Sequence, residues 1–215
     1  MQEVWVMLAL RPKWCEPIID GKKGWEIRKT MPKLKPPFKV LIYETKDKKF
    51  DGIGVHWADG RDFIHHIGKV IGEFICDDIA KIRNLGARFV AEGRSQFETN
   101  TIARSSCLDF LSMKRYLGKK DGYAWHISDL VIYDKPKSLG EFYKCGAETL
   151  EELMEQDSLC GYCSDTGYGE YATYGTPNGP VMCEGAYCDK AYQEYLDENF
   201  ALTRPPQSWC YVEAR

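Results

Sequence analysis

Residues Val4 to Leu10 leave this chain few architectures. Val4, Val6, Leu8 and Leu10 alternate with Trp5, Met7 and Ala9, so neither face offers a polar row to water. A strand of that composition is covered on both sides, which predicts a core strand. Pro12 stops it, and Trp14 to Asp20 follows as a short apolar helix that Gly21 can end by taking the left-handed conformation open to glycine. Pro17 lacks an amide donor and disfavours helical geometry at Glu16, so it is expected in the first turn of that helix.

The next eight residues, Gly21-Lys22-Lys23-Gly24-Trp25-Glu26-Ile27-Arg28, join chemistry to a sharp structural transition. Trp25, Ile27 and Thr30 alternate with Glu26, Arg28 and Lys29 in the period of a half-buried strand. With Trp25 and Ile27 turned inward, Glu26 and Arg28 share the opposite face and Lys23 projects from the preceding turn. Ammonium, carboxylate and guanidinium then cluster at one strand end. The bland alternative is a helix-ending glycine followed by lysines on a solvated hairpin.

Leu10-Arg11-Pro12-Lys13-Trp14, Ile18-Ile19-Asp20-Gly21-Lys22-Lys23 and Glu26-Ile27-Arg28 resemble the G-x-K-x-x-E-x-R signature of ASCH domains, members of the PUA-like superfamily of small β-barrels. The likeness runs more loosely through Val40 to Thr45, Gly68 to Phe74 and Tyr123 to Tyr133, which together cover most of residues 1–138. It implies an α+β protein with a PUA-like small β-barrel and short flanking helices, of bacterial or phage type. It also implies RNA binding or processing, while a few relatives hydrolyse acylated cytidine or cut RNA. Binder and enzyme both remain open on family grounds.

A chain of 215 residues with 44% hydrophobic content suits one large domain or one domain with a substantial insertion. No run approaches the roughly 20 apolar residues of a membrane helix, and Met1-Gln2-Glu3 lacks the basic start of a signal peptide, so a cytoplasmic protein without membrane contact is expected. The net charge of −3 conceals an asymmetry. Residues 1–50 hold 12 Lys and Arg against 6 Asp and Glu, whereas 139–200 hold 2 against 13. The half suited to a polyanion and the acidic half are different parts of the molecule.

Along the rest of the chain, Phe38 to Thr45 reads as a strand and residues 46–62 as a long hairpin loop. His65 and His66 read as polar residues entering the next strand, Gly68 to Ile79, in which Gly72 suggests a bulge. Residues 83–106, with Arg83, Arg88, Arg94 and Arg104 among polar residues, suit a mobile connector. Leu108 to Leu117 suggests a short helix ending near Gly118, and Tyr123 to Tyr133 is a strong strand. Trp14, Trp25 and Trp125 are candidate base-stacking faces, although inward tryptophans are more often core.

Nine cysteines, an odd number, in a chain without a secretion signal point to metal binding plus buried thiols. Cys160-x2-Cys163 and Cys183-x4-Cys188 are separated by nineteen residues. Short Cys spacings let one turn present two thiolates at about 2.3 Å from Zn(II), and four of them fill its tetrahedral shell, which makes the expected zinc structural. A hairpin near Thr176-Pro177-Asn178-Gly179 and a helix through Ala191, Tyr192, Tyr195, Leu196 and Phe200 complete a pattern resembling a treble-clef finger. Cys145 is near enough to substitute as a ligand, and Cys15, Cys76, Cys107 and Cys210 read as core. The expected organisation is a barrel over 1–138, an acidic zinc-binding insertion over 139–203 and a last barrel strand over 207–213.

Three functions compete. The first is RNA binding through Arg11, Lys13, Lys22, Lys23, Trp25, Glu26, Arg28 and Lys29, with Glu26 accepting a hydrogen bond from a base. The second is an amidohydrolase or ribonuclease using Lys23 and Glu26. In the hydrolase relatives the third position after the lysine is threonine, and here it is Glu26. The third is a protein-interaction adaptor working through the acidic zinc lobe.

Overall fold

The computed structural model describes residues 4–146, 173–176, 179–182 and 186–213. They fall into two compact units: residues 4–139 with 204–211 form one, and the described residues of 140–203 with 212–213 belong to the other.

The first unit is a mixed α+β arrangement dominated by two sheets. Strand β1 (Val4–Leu10) pairs in parallel with β3 (Phe38–Glu44), which pairs antiparallel with β6 (Lys69–Cys76), which in turn pairs with β10 (Ser128–Ser138). On its other side β1 receives the start of the final strand β14 (Trp209–Glu213), with the Ala9 amide donating to the Ser208 carbonyl at 2.9 Å. The second sheet runs β2 (Trp25–Arg28), β9 (Gly122–His126), β7 (Ile79–Asn84), β8 (Phe89–Ala91). Val6, Leu8, Val40, Ile42, Ile71 and Phe74 of the first sheet share one core with Trp125 of the second. The doubly covered β1 expected from its composition is the result.

Helix α1 (Pro12–Ile19) lays Cys15 and Ile18 into that core. Its start differs from expectation. Pro12 occupies the first helical position, where its fixed φ is suited and its missing amide costs nothing. Pro17 therefore lies in the helix interior rather than the first turn, forfeiting one backbone bond. Gly21, at φ +73°, ends the helix as expected.

Helices α2 (Gln96–Ser105) and α3 (Phe110–Leu117) cover the second sheet, with Ile102, Met113 and Leu117 against Ile27, Ala80, Ile82 and Ala124. Residues 83–106 are thus largely structured, contrary to the mobile-connector expectation. A capping box closes the start of α2: the Ser95 side chain accepts from the Glu98 amide and the Glu98 side chain accepts from the Ser95 amide. The loop over 46–62 holds β4 (Gly54–His56), which pairs with β5 (Asp62–Ile64). The single strand expected over Gly68 to Ile79 is two, broken between Cys76 and Ile79. Gly72 does adjoin a register irregularity, and a Cβ there would stand 2.4 Å from the Val131 carbonyl oxygen.

In the other unit β11 (Tyr143–Lys144) pairs with Val212 and Glu213, and Tyr143 packs with Leu196. A hairpin joins β12 (Thr173–Thr176) to β13 (Gly179–Met182), and α4 (Ala186–Asn199) follows. Cys160, Cys163 and Cys183, like the Cys188 side chain, lie outside the described residues. Among the described residues no group of three or more His, Cys, Asp or Glu is placed to hold a metal, and no helix is long and apolar enough to cross a membrane. Cys15 and Cys76 are buried, as expected of core thiols, but Cys107 is exposed. It sits at φ +55° just past the end of α2, a surface corner.

Candidate nucleic-acid interface

The signature loop is clasped to the C-terminal end of α2. The Gly24 amide donates to the Ser105 carbonyl at 2.9 Å, and the Cys107 thiol lies 3.6 Å from the Lys22 carbonyl oxygen. The Lys23 ammonium donates to the Ser106 carbonyl, one of the acceptors a helix leaves unsatisfied at its C-terminus, where a cation is also favoured by the helix dipole. Lys23 is consequently 2% exposed. Its side chain completes a helix end as well as belonging to the signature.

Glu26 joins the other two charges. Its Oε2 lies 3.2 Å from Lys23 Nζ and its Oε1 lies 3.1 Å from Arg28 Nε. The latter is a charge contact without hydrogen-bond alignment, so the buried Nε–H has no acceptor of its own. Arg28 spends its terminal nitrogens on the Ala9 carbonyl at 2.7 Å and the Ser208 hydroxyl at 3.5 Å. The triad expected from the spacing is therefore formed, but it is buried, with both carboxylate oxygens of Glu26 engaged. The strand faces differ from the half-buried expectation: Glu26, Ile27 and Arg28 are all buried, because the α2 end and β1 cover the polar side.

The remaining candidates surround this floor. Arg11, Lys13, Lys22 and Lys29 are exposed, Lys22 being paired with Asp20 at 2.5 Å. Trp14 is half-buried, with Lys13 Nζ 4.9 Å and Lys23 Nζ 5.2 Å from its ring centroid. Trp25 is half-buried against His126, with ring centroids 4.7 Å apart. Lys29 Nζ lies 5.1 Å from the Tyr116 ring, on the side of α3. Trp125 is fully buried, which removes it as a ligand-facing surface.

A second buried polar cluster lies under α1. His65, 1% exposed, places Nδ1 2.5 Å from Glu44 Oε1 and Nε2 2.9 Å from Glu16 Oε1, between the rings of Phe50 and Phe63. The other Glu44 oxygen accepts from the His66 amide at 2.8 Å. Burial first, and then the carboxylates of Glu44, Glu26 and Glu16, push the Cys15 thiol well up, making it a poor nucleophile. His65 is thus a core residue rather than a polar strand entry. The local sequence held no signal for it, since Glu44 and Glu16 are 21 and 49 residues away.

The ASCH domain family model matches residues 8–200, a span that includes the whole signature and most of the chain. The chain belongs to the ASCH domain family. This family is linked in general to RNA binding. Solved structures similar to it include an ASCH protein from Zymomonas mobilis, at 15% identity and a TM-score of 0.43 over 87% of this chain and 93% of that one. A serine-to-alanine mutant of that protein is similar at 15% identity and 0.42, over 88% and 94% of the two chains. A tyrosine-to-phenylalanine mutant gives 15% and 0.42 over 91% and 97%. No curated protein matches the chain.

Proposed function

We propose that this ASCH protein binds RNA around Trp14, with the buried Lys23, Glu26 and Arg28 as a rigid charged floor and the exposed cations as the contacting rim. The observation that carries this reading is the Trp14 ring, half-exposed and flanked by the ammonium groups of Lys13 and Lys23. An aromatic face beside cations suits an unpaired base and its phosphate. In this reading Lys13, Lys22, Arg11 and Lys29 neutralise phosphates. Glu26, whose oxygens are both engaged, orients Lys23 and Arg28 instead of reading a base. In this reading the two sheets belong to the small β-barrel of the PUA-like fold, and the protein works in the cytoplasm.

Fluorescence anisotropy with labelled single-stranded RNA tests this. Affinity should fall with salt at a log–log slope of about −0.7 per phosphate contact, and Lys13→Ala should reduce the slope by about one such unit. Trp14→Ala should weaken binding by about 1–3 kcal/mol, the usual range for a base stacked on an aromatic ring, with Trp14→Phe retaining most of it. Salt-independent affinity, or indifference to both Lys13→Ala and Trp14→Ala, would overturn the reading. Hydrolysis through Lys23 is the second reading and is disfavoured. The ammonium donates to Ser106 and faces Glu26, so it presents no lone pair to a substrate.

The acidic segment we assign to one structural zinc held by Cys160, Cys163, Cys183 and Cys188. The spacing supports it, as does the order of a hairpin ending at Met182 and a helix starting at Ala186, which sets Cys183 after a strand and Cys188 in a first helical turn. Elemental analysis of protein purified without added metal should find one zinc per chain, and chelation should unfold this segment. Its absence, with four freely reactive thiols, would refute the assignment. Its charge, 2 cations against 13 anions over 139–200, suits a basic protein partner better than RNA.

A further inference from the structure

Helix α3 carries a charged surface that the signature does not include. Asp109 caps its start, its side chain accepting from the Ser112 amide at 2.6 Å, and Met113 and Leu117 turn inward. Phe110, Leu111, Lys114 and Arg115 are all exposed. At positions i, i+1, i+4 and i+5 they form one stripe along the helix. Leu111 is 68% exposed and Phe110 39%, so two apolar side chains stand partly in solvent among the described residues. Residues 110–120 contain Lys114, Arg115, Lys119 and Lys120 and no acidic residue.

The stripe extends past the C-terminal end of the helix. The Lys120 amide donates to the Leu117 carbonyl at 3.3 Å, which holds Lys119 and Lys120 at the end of the helix. The Asn84 side-chain amide donates to the Gly118 carbonyl at 2.9 Å, which brings the turn between β7 and β8, with exposed Leu85 and Arg88, to the same place. Lys29 stands beside Tyr116 on another face of α3, at the end of the signature strand. The nearby carboxylates are already engaged: Asp109 in the cap, and Asp121 with Arg83 at 3.2 Å and the Asn84 amide at 2.9 Å. The Phe110 ring has Phe89 at 5.5 Å and Lys114 Nζ at 5.7 Å from its centroid.

We propose that this stripe is a second RNA-contact surface, which takes a single-stranded segment leaving the signature. Lys114, Arg115 and Lys119 neutralise its phosphates, and the exposed part of Phe110 stacks one unpaired base. The proposal rests on the RNA-binding reading of the signature. Four cations with no anion among them match a polyanion, and apolar side chains beside cations match an unpaired base next to its phosphate. An eight-residue helix with two exposed apolar residues is too small to hold a membrane surface.

The test uses the full chain and a labelled oligouridine of about 12 nucleotides, within the range that single-strand sites span. Lys114→Glu with Arg115→Glu should weaken binding at least about tenfold and lower the salt slope by about 1.4, two contacts' worth, without changing the melting temperature. Phe110→Ala should weaken oligouridine binding about fivefold or more while leaving an RNA duplex unaffected, because only an unpaired base offers a free face. Unchanged affinity and slope in the double variant, alongside weakened binding by Trp14→Ala, would overturn the second surface and leave the signature reading standing. Failure of the unmodified protein to bind oligouridine or duplex at low salt would overturn both. Loss of polyglutamate binding in the double variant with RNA affinity intact would mark the stripe as a protein-docking surface and overturn the proposal.

Discussion

Replacing Glu26 with alanine lowers the stability of this ASCH protein by about 3 kcal/mol, near the low end of the range for breaking a buried ion pair. The carboxylate is 8% exposed and lies within 3.2 Å of Lys23 and 3.1 Å of Arg28, whose side chains are 1% and 9% exposed. Removing it leaves two buried cations facing a void. The loss stays at the low end because Lys23 keeps the Ser106 carbonyl and Arg28 keeps the Ala9 carbonyl. For a domain of this size each kcal/mol corresponds to about 2–4 °C, so the melting temperature should drop by roughly 6–12 °C. Glu26→Gln keeps the shape and one acceptor, and should cost less. Urea unfolding of both variants measures this; a loss under about 1 kcal/mol for the alanine variant would mean that the cations swing out to water and the floor is not rigid. RNA affinity should fall for all sequences alike, since Glu26 acts by holding its neighbours.

The second large effect is expected at Glu44. Its side chain is fully buried, and Glu44→Ala removes the partner of both His65 Nδ1 and the His66 amide. The buried Nδ1 left without its carboxylate costs about 1–3 kcal/mol, and the part-buried His66 amide loses its acceptor as well. With the void left by the carboxylate, about 2–4 kcal/mol in total should be lost. Glu16 contacts the same imidazole at 2.9 Å but is 34% exposed, so water can replace it and Glu16→Ala should cost less than about 1 kcal/mol. Chemical unfolding of the two variants side by side decides the matter. Equal losses would show that the cluster is solvated and that His65 is held by the Phe50 and Phe63 rings instead of by its hydrogen bond to Glu44.

Both effects arise from positions whose chemistry the sequence displays but whose surroundings it does not. The G-x-K-x-x-E-x-R spacing announced that Lys23, Glu26 and Arg28 would meet, because the turn and the strand period fix that geometry locally. It carried no sign that Ser106, 83 residues later, would supply the lysine's acceptor, or that Ala9 and Ser208 would hold the arginine. The S-x-x-E pattern at Ser95 to Glu98 is a helix-start signal that the connector reading passed over, and only Thr99 and Ile102 of that helix are buried. So sparse an apolar face lets the segment pass for a loop. His65 shows the opposite case: a polar residue belongs in the core only because two distant carboxylates converge on it.

Local order in the chain was enough to set the doubly covered β1, the Gly21 stop, the charged triplet after it and α3 with its glycine end. Each depends on periodicity, a fixed φ or a short spacing, which are properties of neighbours in sequence. Which charges lie in water and which beneath it was settled only when the strands and helices came together. Burial of an ion is stable only with compensating partners in place, and those partners are contributed by elements far apart along the chain.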